Sequence, residues 1–138
     1  MQTSNSVKKT LSIASSFAKK LKPGDVVILC ADLGSGKTVF ARGIIEAYGV
    51  KEPVTSPTFT IVNKYDSKKL TLYHFDMYRL EDYEEALAAG LDELVEDENA
   101  IKIIEWPERC PELLPEHYYK VTITKVDDTT RNIDWEEV

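Results

Sequence analysis

The sequence predicts an α/β fold: a mixed, mainly parallel sheet with helices on its faces. Three observations lead there. An apolar run, Val26-Val-Ile-Leu-Cys30, feeds into a glycine-rich stretch and then at once into a helix-forming segment. Further strand-like runs at residues 60–65, 70–75 and 100–105 are interrupted by a helical pattern, the alternation that lays parallel strands side by side. The last two strand-like runs flank a short turn at Asp127 and add an antiparallel pair. With 138 residues and 43% hydrophobic content, residues 1–138 suit a single domain with a substantial core.

Each element has its own local signal. Val7, Leu11, Ala14, Phe17, Ala18 and Leu21 recur at helical spacing after the start signal Thr3-Ser-Asn-Ser6, and Pro23-Gly24 stops that helix. A strand over Asp25 to Cys30 follows, then a helix from Lys37 to Tyr48 closed by Gly49, with Phe40, Ile44 and Tyr48 inward. Pro53 and Pro57 punctuate a loop over Lys51 to Thr58. The runs Thr60 to Tyr65 and Leu70 to Phe75, joined by Asp66-Ser-Lys-Lys69, read as a hairpin. A helical region over Asp82 to Val95 carries Leu80, Tyr83, Leu87, Leu91 and Leu94 along one face, with Gly90 marking a break. Ala100 to Glu105 is a short buried strand, followed by a loop with Pro107, Pro111 and Pro115. Strands over Tyr118 to Thr124 and Arg131 to Trp135 close the chain around the turn Asp127-Asp-Thr-Thr130.

The stretch Ala31-Asp-Leu-Gly-Ser-Gly-Lys-Thr38 carries the chemistry. Strand, glycine loop and helix in that order are the context of a phosphate-binding loop, and they make the expected fold a P-loop NTPase-like three-layer α/β/α sandwich. Gly34 and Gly36 let backbone N–H groups approach an anion, and the helix starting near Lys37 points its positive end at the phosphates. Lys37 can reach the terminal phosphates, and the Thr38 hydroxyl can ligate Mg²⁺. Ala31 departs from the strict pattern, which has glycine there. The pattern predicts a protein that binds a nucleoside triphosphate.

In such sheets ligands gather at the carboxyl ends of the strands. Leu70-Thr-Leu-Tyr-His-Phe-Asp76 ends in a carboxylate placed to hold the metal opposite Thr38, directly or through water. Ile101-Lys-Ile-Ile-Glu105 repeats the arrangement, and Glu105 can ligate the metal or orient an attacking water. Thr55-Ser-Pro-Thr-Phe-Thr60 lies where nucleotide hydrolases carry a switch segment that senses the γ-phosphate. His74 reads as a hydrogen-bonded structural residue, and Trp106 as a packing residue beside Glu105. Asn63-Lys-Tyr-Asp66 matches the guanine-reading tetrapeptide of GTPases. It precedes Asp76 and lies at a hairpin, however, where Asn and Asp are ordinary turn residues.

Composition excludes several classes. The net charge is −7, from 24 acids against 17 bases, and from Glu81 to Glu98 every charged residue is acidic. That balance disfavours a general nucleic-acid binder, which needs clustered Lys and Arg. The basic pairs Lys8-Lys9 and Lys19-Lys20 lack interleaved aromatics. Cys30 and Cys110 are too few for a disulfide framework or a zinc site. No segment has the apolar length of a membrane span and no signal-peptide core is visible, so a reducing, cytoplasmic home is expected.

Taken together, residues 31–38, Thr-Ser-Pro-Thr-Phe-Thr (55–60), His-Phe-Asp-Met-Tyr-Arg-Leu (74–80) and Ile-Glu-Trp-Pro-Glu (104–108) resemble the TsaE (YjeE) family. These are small bacterial ATPases of tRNA threonylcarbamoyladenosine (t6A) synthesis. The resemblance covers nearly the whole chain in order. It implies an ATP- and Mg²⁺-dependent subunit acting with TsaB and TsaD. In that complex TsaD transfers threonylcarbamoyl to adenosine 37 of tRNAs reading codons that begin with A, and ATP hydrolysis resets the assembly. Carried over by position, Leu33, Gly34, Ser35, Gly36 and Lys37 hold phosphates, Thr38 and Glu105 bind Mg²⁺, and Asp76 is the Walker-B-like acid. Thr58 and Thr60 fall in the switch-like loop, and Thr10 and Arg131 at nucleotide-contacting positions. The acidic balance agrees with a subunit that leaves tRNA to its partners.

Two other classes stay in view. A small-molecule or nucleotide kinase would carry a lid with several arginines, whereas Arg42, Arg79, Arg109 and Arg131 are scattered. A nucleotide-gated binding module would hold ATP without hydrolysing it.

Overall fold

The computed structural model describes residues 1–31 and 35–138. Leu33 and Gly34, both expected to hold phosphates, lie outside the described residues. The element order is β1 (Gln2–Ser4), α1 (Val7–Ala18), β2 (Val26–Ala31), α2 (Lys37–Ala47), β3 (Val62–Asp66), β4 (Thr71–Asp76), α3 (Tyr83–Ala88), α4 (Leu91–Val95), β5 (Ala100–Glu105), β6 (Tyr119–Lys125) and β7 (Arg131–Glu137). Two short 3₁₀ turns, Pro107–Arg109 and Pro111–Leu113, occupy the proline-rich loop. The strands form one sheet in the order β1-β7-β6-β2-β5-β4-β3. Strands β6, β2, β5 and β4 run parallel, while β1, β7 and β3 pair antiparallel to their neighbours. The chain thus adopts the expected α/β class with a mixed sheet.

Local chemistry explains the elements. Ser6 starts α1 by accepting the Lys9 N–H on its hydroxyl at 3.0 Å. Asp82 does the same for α3 with the Glu85 N–H at 2.9 Å. Gly90, at φ +76°, breaks the predicted helical region into α3 and α4, because the left-handed conformation it adopts ends one helix and admits the next. Strands β2 and β5 are covered on both faces, which is why they read as unbroken apolar runs.

Successive strand residues face opposite layers, and the two cores divide accordingly. Val27, Leu29, Ile101, Ile103 and Val121 pack with Phe17 of α1 and Phe40 and Ile44 of α2. Val26, Ile28, Phe75 and Ile104 pack with Ala86, Leu91, Val95 and Leu113 on the other face. Helix α2 leaves β2 on one face, and the 3₁₀ turns leave β5 on the other. The carboxyl ends of the adjacent strands β2 and β5 therefore border a crevice, the place where doubly wound sheets bind ligands.

Some details differ from the sequence reading. Strand β1 was not expected. Val7 and Leu87, assigned to inner helix faces, are exposed, since each sits at a helix end or on a helix too short to wrap its stripe around the core. Both cysteines are free thiols. Burial pushes the thiols of Cys30 and Cys110 above the ordinary range, which suits packing rather than reactivity. Among the described residues no helix is long and apolar enough to cross a membrane.

Candidate nucleotide and metal site

At the crevice, α2 begins with Gly36 in the left-handed conformation, φ +100°, and with no side-chain hydrogen bond capping its first turn. The leading N–H groups of a helix lack intrahelical partners, so this end offers donors and a positive dipole to an anion. Lys37 and Thr38 are the first helical residues. They share a cavity of about 360 Å³ with Gly36, Val39, Ser56, Thr58, Asp76, Glu105 and Trp106.

The acids arrive there by register. Asp76 and Glu105 are direct partners across the parallel β4–β5 ladder, each the last residue of its strand. They lie on the sheet face that carries α2, because Leu72, Ile101 and Ile103, at matching alternation, belong to that core. Both are buried. Asp76 is fixed twice: Oδ1 accepts the Tyr78 N–H at 3.0 Å, and Oδ2 accepts the Thr58 hydroxyl at 3.1 Å. Capping the next turn and facing the cavity are therefore compatible roles for this aspartate. Arg79 lies over the Phe59 ring, at 4.5 Å. Glu105 Oε2 is 2.5 Å from Nε2 of the fully buried His74.

The lysine is also positioned. Its ammonium lies 3.6 Å from the centroid of the Trp106 ring, with only 7% of the residue exposed. Trp106 follows Glu105 with φ +58°, a left-handed turn that is uncommon for a bulky residue. Beyond it a row of ring contacts continues to the surface: Tyr78, tilted, at 4.9 Å from Trp106, then Arg109 at 5.0 Å from Tyr78, with Arg109 Nε donating to the Tyr78 carbonyl at 3.0 Å. Ile61, which opens the hairpin after the Thr55–Thr60 loop, has φ +69°. For a β-branched residue that is strained backbone, and strain of this kind gathers at functional sites.

A second cavity, of about 460 Å³, adjoins the first at Gly36 and Val39 and is lined by Asn5, Ser6, Val7, Thr10, Ser35, Asp128, Thr129 and Arg131 among others. Thr10 exchanges a hydrogen bond with Ser4 at 2.7 Å, which ties β1 to α1. Arg131 Nε donates to the Ser35 carbonyl at 3.0 Å, and Nη1 to the Asp127 carbonyl at 2.7 Å, so the β6–β7 turn is latched onto the segment leading into α2. The turn itself is organised by Asp127, whose carboxylate accepts the Thr129 and Thr130 N–H groups. Those bonds hold it below the usual carboxylate range.

The structure thus gathers Gly36, Lys37, Thr38, Thr58, Asp76 and Glu105 in one cavity, and Thr10, Ser35, Gly36 and Arg131 in its neighbour. Thr60 is held apart: exposed, it donates to Asn63 at 2.7 Å. Asn63 and Asp66 are spent within the hairpin region, on Thr55 and Thr71, which accounts for the guanine-reading look-alike. Sequence reasoning missed Ser56, although it lies in the segment singled out. It also missed the wall formed by Asn5, Ser6, Asp128 and Thr129, which no motif marks.

The donor set fits a hard divalent cation. One hydroxyl and two carboxylates are oxygen ligands, and Mg²⁺ takes one or two carboxylates, completing its shell with phosphate oxygens and water. Among the described residues no group of three or more His, Cys, Asp and Glu side chains forms a cage of its own.

Comparison with known proteins places this geometry. The model of the family described as threonylcarbamoyl adenosine biosynthesis protein TsaE matches residues 4–133. The chain belongs to the TsaE family. Among curated members, the tRNA threonylcarbamoyladenosine biosynthesis protein TsaE of Bacillus subtilis is 41% identical over 94% of this chain and 80% of its own length. Its namesake from Rickettsia prowazekii is 40% identical over 95% of this chain and 90% of its own length. The crystal structure of Bacillus subtilis YdiB superposes with a TM-score of 0.81 at 34% identity, covering 97% of this chain and 82% of that one. The fold expected from the TsaE resemblance is therefore the fold observed.

Proposed function

We propose that this protein is a magnesium-dependent ATPase that works in the cytoplasm with TsaB and TsaD to sustain threonylcarbamoylation of adenosine 37 in tRNA. The observation that carries the reading is the single cavity in which Lys37 and Thr38 meet two buried acids from adjacent strand ends. Family membership and relatives named for t6A biosynthesis support the pathway. The adjoining cavity beside Thr10 and Arg131 supports a nucleoside seated next to its phosphates.

In this reading the amides at the start of α2 and the Lys37 ammonium bind phosphate oxygens. To do so, Lys37 leaves the Trp106 ring. Thr38, Asp76 and Glu105 hold the cation, Asp76 directly or through water. Bound there, a magnesium ion would supply positive charge to offset that of the phosphate oxygens. Thr58 couples the Thr55–Thr60 loop to Asp76, so the loop can report whether the γ-phosphate is present. Among the described residues no arginine lines the Lys37 cavity. Turnover is therefore slow for the isolated subunit and rises when a partner completes the site.

The test is ATP hydrolysis by the purified protein, alone and with TsaB plus TsaD. Stimulation by the pair is expected, and Lys37→Ala should lose roughly 100-fold or more of the rate with an unchanged circular dichroism spectrum. Wild-type hydrolysis by Lys37→Ala would overturn the assignment of the site. Phosphoryl transfer to a small acceptor would instead establish a kinase.

A further inference from the structure

His74 and Glu105 form a buried diagonal pair across β4 and β5, one register step below the cavity. An ionised carboxylate only accepts, so in a pairing with the Glu105 carboxylate the imidazole Nε2–H is the donor. Among the described residues, His74 is the one side chain hydrogen-bonded to Glu105, whereas Asp76 has two donors of its own. A glutamate has three rotatable bonds, and without that donor its carboxylate could swing away from the cavity it lines.

The pairing is not what stability alone would choose. His74 has none of its surface exposed, and its other ring nitrogen, Nδ1, has no hydrogen-bond partner among the described residues. A buried polar atom left unpaired costs free energy that an aliphatic side chain of similar size would not incur. Below the two strand-end acids, the other in-facing residues on this face of β4 and β5, namely Leu72, Ile101 and Ile103, are aliphatic.

We propose that His74 is the positioning residue for Glu105, its Nε2–H holding one carboxylate oxygen so that the other is presented to the divalent cation bound with the nucleotide. This rests on the reading of the cavity as a magnesium–nucleotide site. Hydrogen-bonded partners behind metal-binding groups typically govern affinity 10- to 100-fold, because they set the orientation of the ligand atom.

The experiment is calorimetric titration of ATP into the full chain over a range of Mg²⁺ concentrations, and in EDTA, with a thermal melt for each variant. In His74→Leu the donor is gone and the volume is filled. The Mg²⁺ concentration for half-maximal enhancement of ATP binding should rise about 10- to 100-fold, with binding in EDTA and the melting temperature preserved. His74→Gln places an amide N–H₂ where Nε2 stood and should return the Mg²⁺ dependence to within a few-fold of wild type. His74→Asn, whose amide is too short to reach Glu105, should not.

Wild-type Mg²⁺ dependence in His74→Leu would overturn the inference while leaving the site assignment standing. If His74→Leu does not fold, the Gln and Asn variants decide: equal shifts in the two overturn the inference, and a shift in Asn alone supports it. Binding by the wild-type protein that ignores Mg²⁺ altogether would remove the magnesium reading and this inference with it.

Discussion

Thr58 contributes one hydroxyl to the site, and that hydroxyl donates to Asp76 Oδ2 at 3.1 Å. A hydrogen bond to a charged group contributes about 1.5–3 kcal/mol, and here it also fixes which way the Asp76 carboxylate faces. Thr58→Val keeps shape and volume while removing the donor. Turnover of ATP should fall by roughly 10-fold or more, with little change in the melting temperature, because the residue lies in a loop and not in either core. A steady-state assay at saturating ATP reads this directly, and an unaltered rate would take Thr58 out of the machinery. Thr60 supplies the comparison. It sits two residues on in the same motif but bonds Asn63, so Thr60→Val should leave the rate unchanged. Sequence alone could not separate these threonines. Choosing between them requires the turn at residues 57–61, where the Ile61 N–H and the Thr60 N–H both reach back to the Pro57 carbonyl. The same limit hid the partnership of His74 with Glu105. Those residues are far apart in the chain and meet only through the β4–β5 register.

Between elements, α1 and α2 approach closely at Gly43. A Cβ on Gly43 would stand 2.6 Å from Ala14 Cβ and 3.0 Å from the Leu11 carbonyl oxygen. Alanine would gain about 1 kcal/mol of helix propensity there. Against that, the α1 backbone cannot move aside cheaply, and forced overpacking of this kind costs typically 1–3 kcal/mol. Gly43→Ala should therefore lower the urea midpoint despite the better helix former, and Ala14→Gly in the same chain should restore part of the loss. A midpoint that rises in the single variant would show that the two helices slide apart freely. Helix α2 itself was legible, since a glycine loop between a strand and an amphipathic stretch is a purely local signal. Strand β1 was not. Gln2-Thr3-Ser4 has no apolar alternation and is a strand because the β7 edge offers it partners at Ile133, Asn132 and Arg131. The division of α3 from α4 was marked by Gly90, while the exposure of Leu87 followed from packing that no periodicity encodes.

For the molecule as a whole, the non-local fact that matters is the insertion of β5 between β2 and β4. Hydrophobic runs and turn residues reveal that the strands exist, but not their order, which depends on crossovers closing on opposite faces. That order brings Glu105 beside Asp76 and sets both acids across from Lys37 and Thr38. It also makes the site a junction of segments far apart in sequence: the start of α2, the Thr55–Thr60 loop, two strand ends and, through Arg131, the last hairpin. A ligand that bridges all of them stabilises the entire fold by mass action. At 100 times its dissociation constant that amounts to about 2.7 kcal/mol. For a chain of this size such an increment raises the melting temperature by roughly 10 °C. Mg-ATP should therefore shift the melt of the wild-type protein by that order at saturating concentration. ATP in EDTA should shift it less, and Mg-GTP should shift it less at equal concentration, because Asn63 and Asp66 are occupied within the hairpin region and unavailable to read guanine. Differential scanning fluorimetry across these conditions separates the contributions of metal and base. A larger shift with Mg-GTP would return those two residues to the nucleotide site, and no shift with any triphosphate would mean that the crevice between β2 and β5 does not receive one.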